Sequence, residues 1–149
     1  MPEEARMELI KYTQPEVEHG KKVTWIAHTN RLIATIQTVR EGGETNLHAH
    51  KSLDGIWWVL SGRARFYSDE TTLFADVGSG EGVLIPRGVK YWFESASEEP
   101  LQLFQVECAY HDLKTTMDVF DDRVDYTPPK EGLLEIHKES SRIPADSPH

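Results

Sequence analysis

Residues 44–67 read ETNLHAHKSLDGIWWVLSGRARFY and place two of the chain's seven histidines one residue apart, between the pair Gly42-Gly43 and the apolar run from Gly55 to Leu60. In a β-strand successive side chains alternate faces, so His48 and His50 point the same way, with Cα atoms about 6.5–7 Å apart at a rise of about 3.3 Å per residue. Two imidazoles at that separation can converge on a metal, at about 2.0–2.1 Å per nitrogen for zinc, without an unusual rotamer. The alternative is a half-exposed strand whose two rings face water.

Outward from this stretch the pattern is one of short strands. VTWIAH, LIATIQTV, TNLHAH, GIWWVL, ARFY, TTLFADV, GVLIP, KYWFES and LQLFQVE follow one another from Val23 to Cys108. Turn formers separate them, among them Glu41-Gly42-Gly43, Ser61-Gly62, Gly78-Ser79-Gly80 and Pro86-Arg87-Gly88. Apolar residues recur at about every second position, and β-branched and aromatic types are frequent. Such a succession predicts an all-β sandwich or barrel.

The ends differ. Residues 1–22 are expected to form an N-terminal arm with an extended stretch near Met7 to Tyr12, and residues 23–111 the barrel. Residues 112–149 are expected to form an acidic C-terminal arm and mobile tail with one short helix around Gly132 to Lys138. Nine acidic and five basic side chains and the pair Pro128-Pro129 leave that last segment little apolar surface to bury.

At 149 residues and 38% hydrophobic, the chain suits one domain with a single core. Its net charge of -9 argues against a broad electrostatic grip on nucleic acid or anionic lipid, both of which need clustered Lys and Arg. A small-molecule substrate is the expected partner, with no nucleic acid and no membrane. The one cysteine, Cys108, cannot form an internal disulfide, and the start MPEEARMELIKYTQPEVE lacks the basic and apolar blocks of a signal peptide. No apolar segment is long enough to span a bilayer, so the cytoplasm is the expected location.

Two motifs carry a resemblance. Gly42 is followed after five residues by His48, then by His50, Asp54 and Gly62, and later Gly80, Pro86, Gly88 and Tyr91 repeat a second spacing. This resembles the cupin superfamily, whose first motif runs G, five residues, H-x-H, three or four residues, E, six residues, G, and whose second runs G, five residues, P-x-G, two residues, H. The resemblance covers roughly residues 30–108 and implies a jelly-roll β-barrel of two packed antiparallel sheets. It also implies an inward-facing divalent metal (iron, manganese, nickel or zinc) held by three histidines and a glutamate.

On that resemblance His48 and His50 match the first two ligands. The glutamate falls at Asp54 counted from the histidines and at Gly55 counted back from Gly62. Asp54 is therefore a candidate ligand, since two histidines and one carboxylate can hold iron, or else a loop cap bonding nearby backbone amides. The last histidine falls at Tyr91, either a ligand whose phenol a cation would deprotonate or a packed ring. His50 and Tyr91 are the candidate catalytic groups.

Phased from Gly62, Gly55, Trp57 and Val59 face inward and Ile56, Trp58 and Leu60 outward, making Trp57 and Phe93 candidate walls of a substrate pocket. Core packing is the other reading for Trp57, Trp58 and Trp92. On LQLFQVE, burying Phe104 and Val106 is the expected arrangement; the opposite phase would bury Glu107 as a carboxylate with a raised pKa and a candidate general base. Arg63 and Arg65 are expected to face solvent and Ala64 and Phe66 the core.

Three functions fit. The first is a metal-dependent cupin acting on a small organic substrate, as an oxidoreductase of dioxygenase type, an isomerase or a lyase. In the second, HAHKSLD is similar to the H-A-H-K-x-L-E stretch of nucleotide-sugar 3,4-ketoisomerases, implying metal-free proton shuttling by His48 or His50, although LIATIQTVREGGETNL lacks the tyrosine that family uses. The third is a small-molecule binding or sensor cupin without chemistry. A homodimer, with the arms or an edge strand covering unpaired sheet edges, is expected.

Overall fold

A computed structural model of the chain describes residues 5–115, 117–127, 134–137 and 142–143. In chain order its elements are β1 (Leu9–Ile10), β2 (Lys21–His28), β3 (Leu32–Val39), β4 (His48–His50), β5 (Leu53–Ser61), β6 (Arg63–Tyr67) and β7 (Leu73–Gly78). There follow β8 (Gly82–Ile85), β9 (Trp92–Ser95), β10 (Leu101–Ala109), α1 (Met117–Asp121), β11 (Arg123–Asp125), β12 (Leu134–His137) and β13 (Arg142–Ile143). The all-β jelly roll read from the sequence is the fold observed.

One sheet has the order β12-β2-β3-β10-β5-β8, antiparallel except for β12 against β2; β7-β6-β9 and β11-β4 pair separately, as do β1 and β13. His48 and Tyr91 exchange both backbone hydrogen bonds, and Thr45 N donates to the Phe93 carbonyl. These bonds stitch β9 to the β4 segment, so β7-β6-β9-β4-β11 forms a second layer opposite the first.

Alternation fills the space between the layers. Trp57 and Val59 of β5 and Leu101 and Leu103 of β10 meet Ala64 and Phe66 of β6 and Phe93 of β9 in one buried cluster. Arg63 and Arg65, in the opposite phase, reach Asp76 on β7 at the surface. The turn from β5 into β6 needs Gly62: its φ is +79°, and a Cβ there would sit 2.8 Å from the Pro100 carbonyl oxygen.

Three expectations are corrected. On β10 it is Gln105 and Glu107 that face inward, while Phe104 and Val106 pack on the outer face with Ile26, Ala34 and Ile36. The phase is set at the start of the strand, where Leu101 and Leu103 are fully buried, and it runs unbroken to Ala109. The first long strand begins at Lys21, two residues before the expected barrel boundary, because Lys21 pairs with Val39. A helix around Gly132 to Lys138 is not formed by the described part of that segment, where β12 lies parallel to β2 and completes the ladder of an otherwise open edge.

The helix that does form, α1, lies earlier. Asp118 accepts from the backbone amides of Lys114 and Thr115 at its start, and Val119 packs with Ile33, Leu53 and Ala109. Among the described residues no helix is long and apolar enough to cross a membrane.

Candidate functional site

The inner face of the large sheet, β4 and the segment carrying α1 and β11 enclose a cavity of about 110 Å³ that opens to solvent. His48 and His50, both from β4, line it, with His48 2% exposed and the His50 side chain 11%. Their rings meet edge-on, centroids 5.2 Å apart. His48 Nδ1 lies 2.7 Å from the Asn46 carbonyl oxygen; a carbonyl can only accept, so Nδ1 carries the hydrogen and Nε2 the lone pair. Burial, and then the nearby Arg123 guanidinium, pushes His48 down to about 3 and His50 down to about 4, so both rings are neutral at pH 7.

Tyr91 packs between them and the core, its ring centroid 4.3 Å from that of His48 and 5.0 Å from that of Trp57. Burial, and then the neighbouring Glu107, holds its phenol well above the ordinary value, so it stays protonated. Phe93 lines the cavity; Trp57, 1% exposed, belongs to the buried core cluster behind Tyr91. Trp92 is buried, its indole N–H donating to the Asp69 carbonyl, and Trp58 lies at the surface.

Asp54 is not with the histidines. Gly55 faces inward, so its neighbour Asp54 faces outward; its carboxylate accepts from the Arg87 amide at 2.8 Å and pairs with the Arg87 guanidinium at 3.4 Å. Its side chain is 47% exposed, and the loop-tying role is the one it fills. At Gly55 an added Cβ would lie 2.4 Å from the Trp57 ring, which occupies the space a longer side chain would need.

The carboxylate in the cavity comes from the adjacent strand. Glu107 is the register partner of Gly55 and is 4% exposed. A row of side chains leads to it across the sheet: Lys21 Nζ donates to Gln37 Oε1 at 2.9 Å, Gln37 Nε2 to Gln105 Oε1 at 2.5 Å, and Gln105 Nε2 to Glu107 Oε1 at 2.6 Å. With an ammonium at one end and a carboxyl at the other, both amides point the same way. Among the described residues Glu107 Oε2 is left without a partner, 3.7 Å from His50 Nε2, and His50 Nδ1 is also unpartnered. Burial raises Glu107 to about 7 despite the Gln105 bond, and lowers Lys21 to about 7.

These donors do not fit the metal centre that the motif resemblance implies. Tyr91, a neutral phenol, stands where that set has a histidine; Gly55 and the outward Asp54 stand where it has a carboxylate. Among the described residues no three His, Cys, Asp or Glu side chains come together as a metal-binding group.

Lys21, Gln37 and Arg123 line the cavity and were not candidates from the sequence. Lys21 and Arg123 fall in segments whose composition reads as arms. Gln37 and Gln105 could have been found by parity, since each shares the phase of an apolar core residue two or more places along its strand, Val39 and Leu103.

A family model described as Cupin domain matches residues 35–107. Among solved structures of similar fold is an uncharacterised conserved protein with a double-stranded β-helix domain from Klebsiella pneumoniae, at TM-score 0.59 and 18% identity over 68% of this chain and 81% of that one. An RmlC-like cupin family protein from Methanocaldococcus jannaschii gives TM-score 0.58 and 13% identity over 72% and 94%. KdgF from Halomonas sp. gives TM-score 0.53 and 18% identity over 68% and 86%. No curated protein sequence matches the chain.

Proposed function

This chain belongs to the cupin superfamily, and from that premise we propose that it is a metal-free acid–base enzyme moving protons on a small organic molecule bound in the barrel. The observation that carries this reading is the buried pair of His50 Nε2 and Glu107 Oε2, 3.7 Å apart, with Glu107 Oε2 and His50 Nδ1 unpartnered among the described residues, at the wall of an accessible cavity. That separation is too long for a direct hydrogen bond, so neither group is tied to the other and both can turn to a substrate in the cavity.

The two groups have opposite roles. Neutral His50 is the base, and Glu107, protonated below about pH 7, is the acid. On a 2-hydroxycarbonyl compound, a His50 nitrogen takes the proton from the hydroxyl-bearing carbon, whose C–H electron pair becomes the new C=C bond. Glu107 gives its proton to the carbonyl oxygen, and an enediol results. Glu107, now a carboxylate, takes the proton of the other hydroxyl while the imidazolium protonates the former carbonyl carbon. The carbonyl has then moved by one carbon, and both side chains return to their starting states.

Proton NMR in D2O with 2-hydroxycarbonyl compounds and 2-oxo acids tests this. Wild-type protein is expected to accelerate exchange at the carbon beside the carbonyl, with an alkaline limb near pH 7 as Glu107 ionises. His50→Gln and Glu107→Gln are each expected to lower the rate by about 10²–10⁴-fold. Elemental analysis of the active protein is expected to give no stoichiometric iron, manganese, nickel or zinc; a bound ion whose removal abolishes exchange overturns the proposal.

A further inference from the structure

Lys21 is 9% exposed, and among the described residues its Nζ donates a single hydrogen bond, to the neutral amide of Gln37. Among the described residues it forms no ion pair; Glu44 acts on it only from a distance. An ammonium has three donors, and a buried cation without a counter-ion is costly to keep. Its Nζ also lies 5.4 Å from the centre of the Phe93 ring, on the cavity side.

A second cation faces the same space. Arg123, the register partner of His50 across β11 and β4, lines the cavity and is near enough to Lys21 to disfavour its charge. Among the described residues only its Nε is engaged, donating to Asp125 at 2.5 Å, which leaves the paired terminal nitrogens of the guanidinium for another acceptor. Thr35 adds a buried hydroxyl without a partner on the same wall. The Trp25 and Phe120 rings, centroids 6.2 Å apart, line the same cavity and supply an apolar surface.

We propose that Lys21 and Arg123 form an anchor for the carboxylate of a small organic acid whose apolar or ring-bearing body lies against Trp25 and Phe120. The anchor rests on reading this cavity as the substrate site and names the class of substrate. It supplies the counter-ion Lys21 lacks, in a low-dielectric setting where charge-assisted bonds are strongest. Below about pH 7 Glu107 does not oppose it, because there that carboxyl holds its proton.

Titration calorimetry of the full chain with phenylacetate and with its uncharged analogue phenylacetamide tests the anchor separately from the chemistry. Phenylacetate is expected to bind saturably and the amide about tenfold or more weaker, the worth of one charge-assisted bond. Arg123→Gln, at a half-exposed position that tolerates the change, and Lys21→Met are each expected to weaken phenylacetate about tenfold while leaving the amide unchanged, with Lys21→Arg recovering affinity. Equal binding of acid and amide, no saturable binding of the acid, or an unaltered affinity in Arg123→Gln overturns it. Anchoring that survives alongside absent proton exchange in wild-type protein sinks the acid–base reading alone.

Discussion

The two halves of β10 face the same interior and do opposite things with it. Leu101 and Leu103, at one end, are sealed among Val59, Ala64 and Phe66, whereas Gln105 and Glu107, two and four residues on, carry polar atoms to the rim of a cavity. β3 changes one inward pair earlier, from Val39 opposite Leu101 in the sealed end to Gln37 and Thr35 in the other. One set of strands thus builds a dry core at one end and a polar recess at the other. The β10–β3 ladder runs through the changeover without a register shift, so between these two strands side-chain chemistry makes it.

If the sealed end holds the fold together, truncating it should cost most. Phe66→Ala is expected to lose about 3–5 kcal/mol in urea denaturation, as for other fully buried aromatic side chains. A loss under about 1 kcal/mol would break the contrast by showing that the end collapses freely.

The polar end should govern how stability responds to pH. His48 and His50 have pKa values depressed in the fold, so stability is lost as pH falls below their ordinary 6.5 and the unfolded chain takes up two protons. Glu107 is raised, from 4.5 to about 7, so the fold already holds a proton there that the unfolded chain lacks, which offsets one of the two. Between pH 4.5 and 6.5 these three groups leave a fall of about 1.4 kcal/mol per pH unit, and Glu107→Gln is expected to about double it. Denaturation at about pH 5 and about pH 6 reads both slopes, and equal slopes would show that Glu107 ionises normally.

The smallest effect belongs outside both ends. Asp54→Ala removes an exposed ion pair and one backbone tie to Arg87, and is expected to cost about 0.5–1 kcal/mol without altering proton transfer. A large loss of exchange would return Asp54 to the site.

How far the sequence carries is itself divided along these lines. The spacing of Gly42, His48, His50, Gly62, Pro86 and Gly88 leads to the jelly roll, because turns and alternation are local properties that a chain displays openly. That the two histidines share a face follows from the same alternation; that the face is the inner one is seen only in the fold. The phase of β10 does not, since LQLFQVE offers apolar residues to both faces and the outer one is covered by residues from β2 and β3. Asp54 and Gly55 illustrate the limit most sharply: counting along the motif reaches either, phasing from Gly62 turns Gly55 inward, and only the packing of Trp57 shows that no larger side chain fits there. Lys21 and Arg123 lie near opposite ends of the chain and acquire meaning only when β2 and β11 bring them to one cavity.

The close approach of Trp57 to Gly55 has a consequence for redesign. Placing a glutamate at position 55 would drive its first carbon into the indole, so the change is blocked unless Trp57 is made smaller in the same step. Two simultaneous substitutions are far rarer than one, and each alone is penalised: the first by collision, the second by an emptied core. The barrel is therefore ratcheted, by the bulk of a single ring, into keeping its acid on the neighbouring strand.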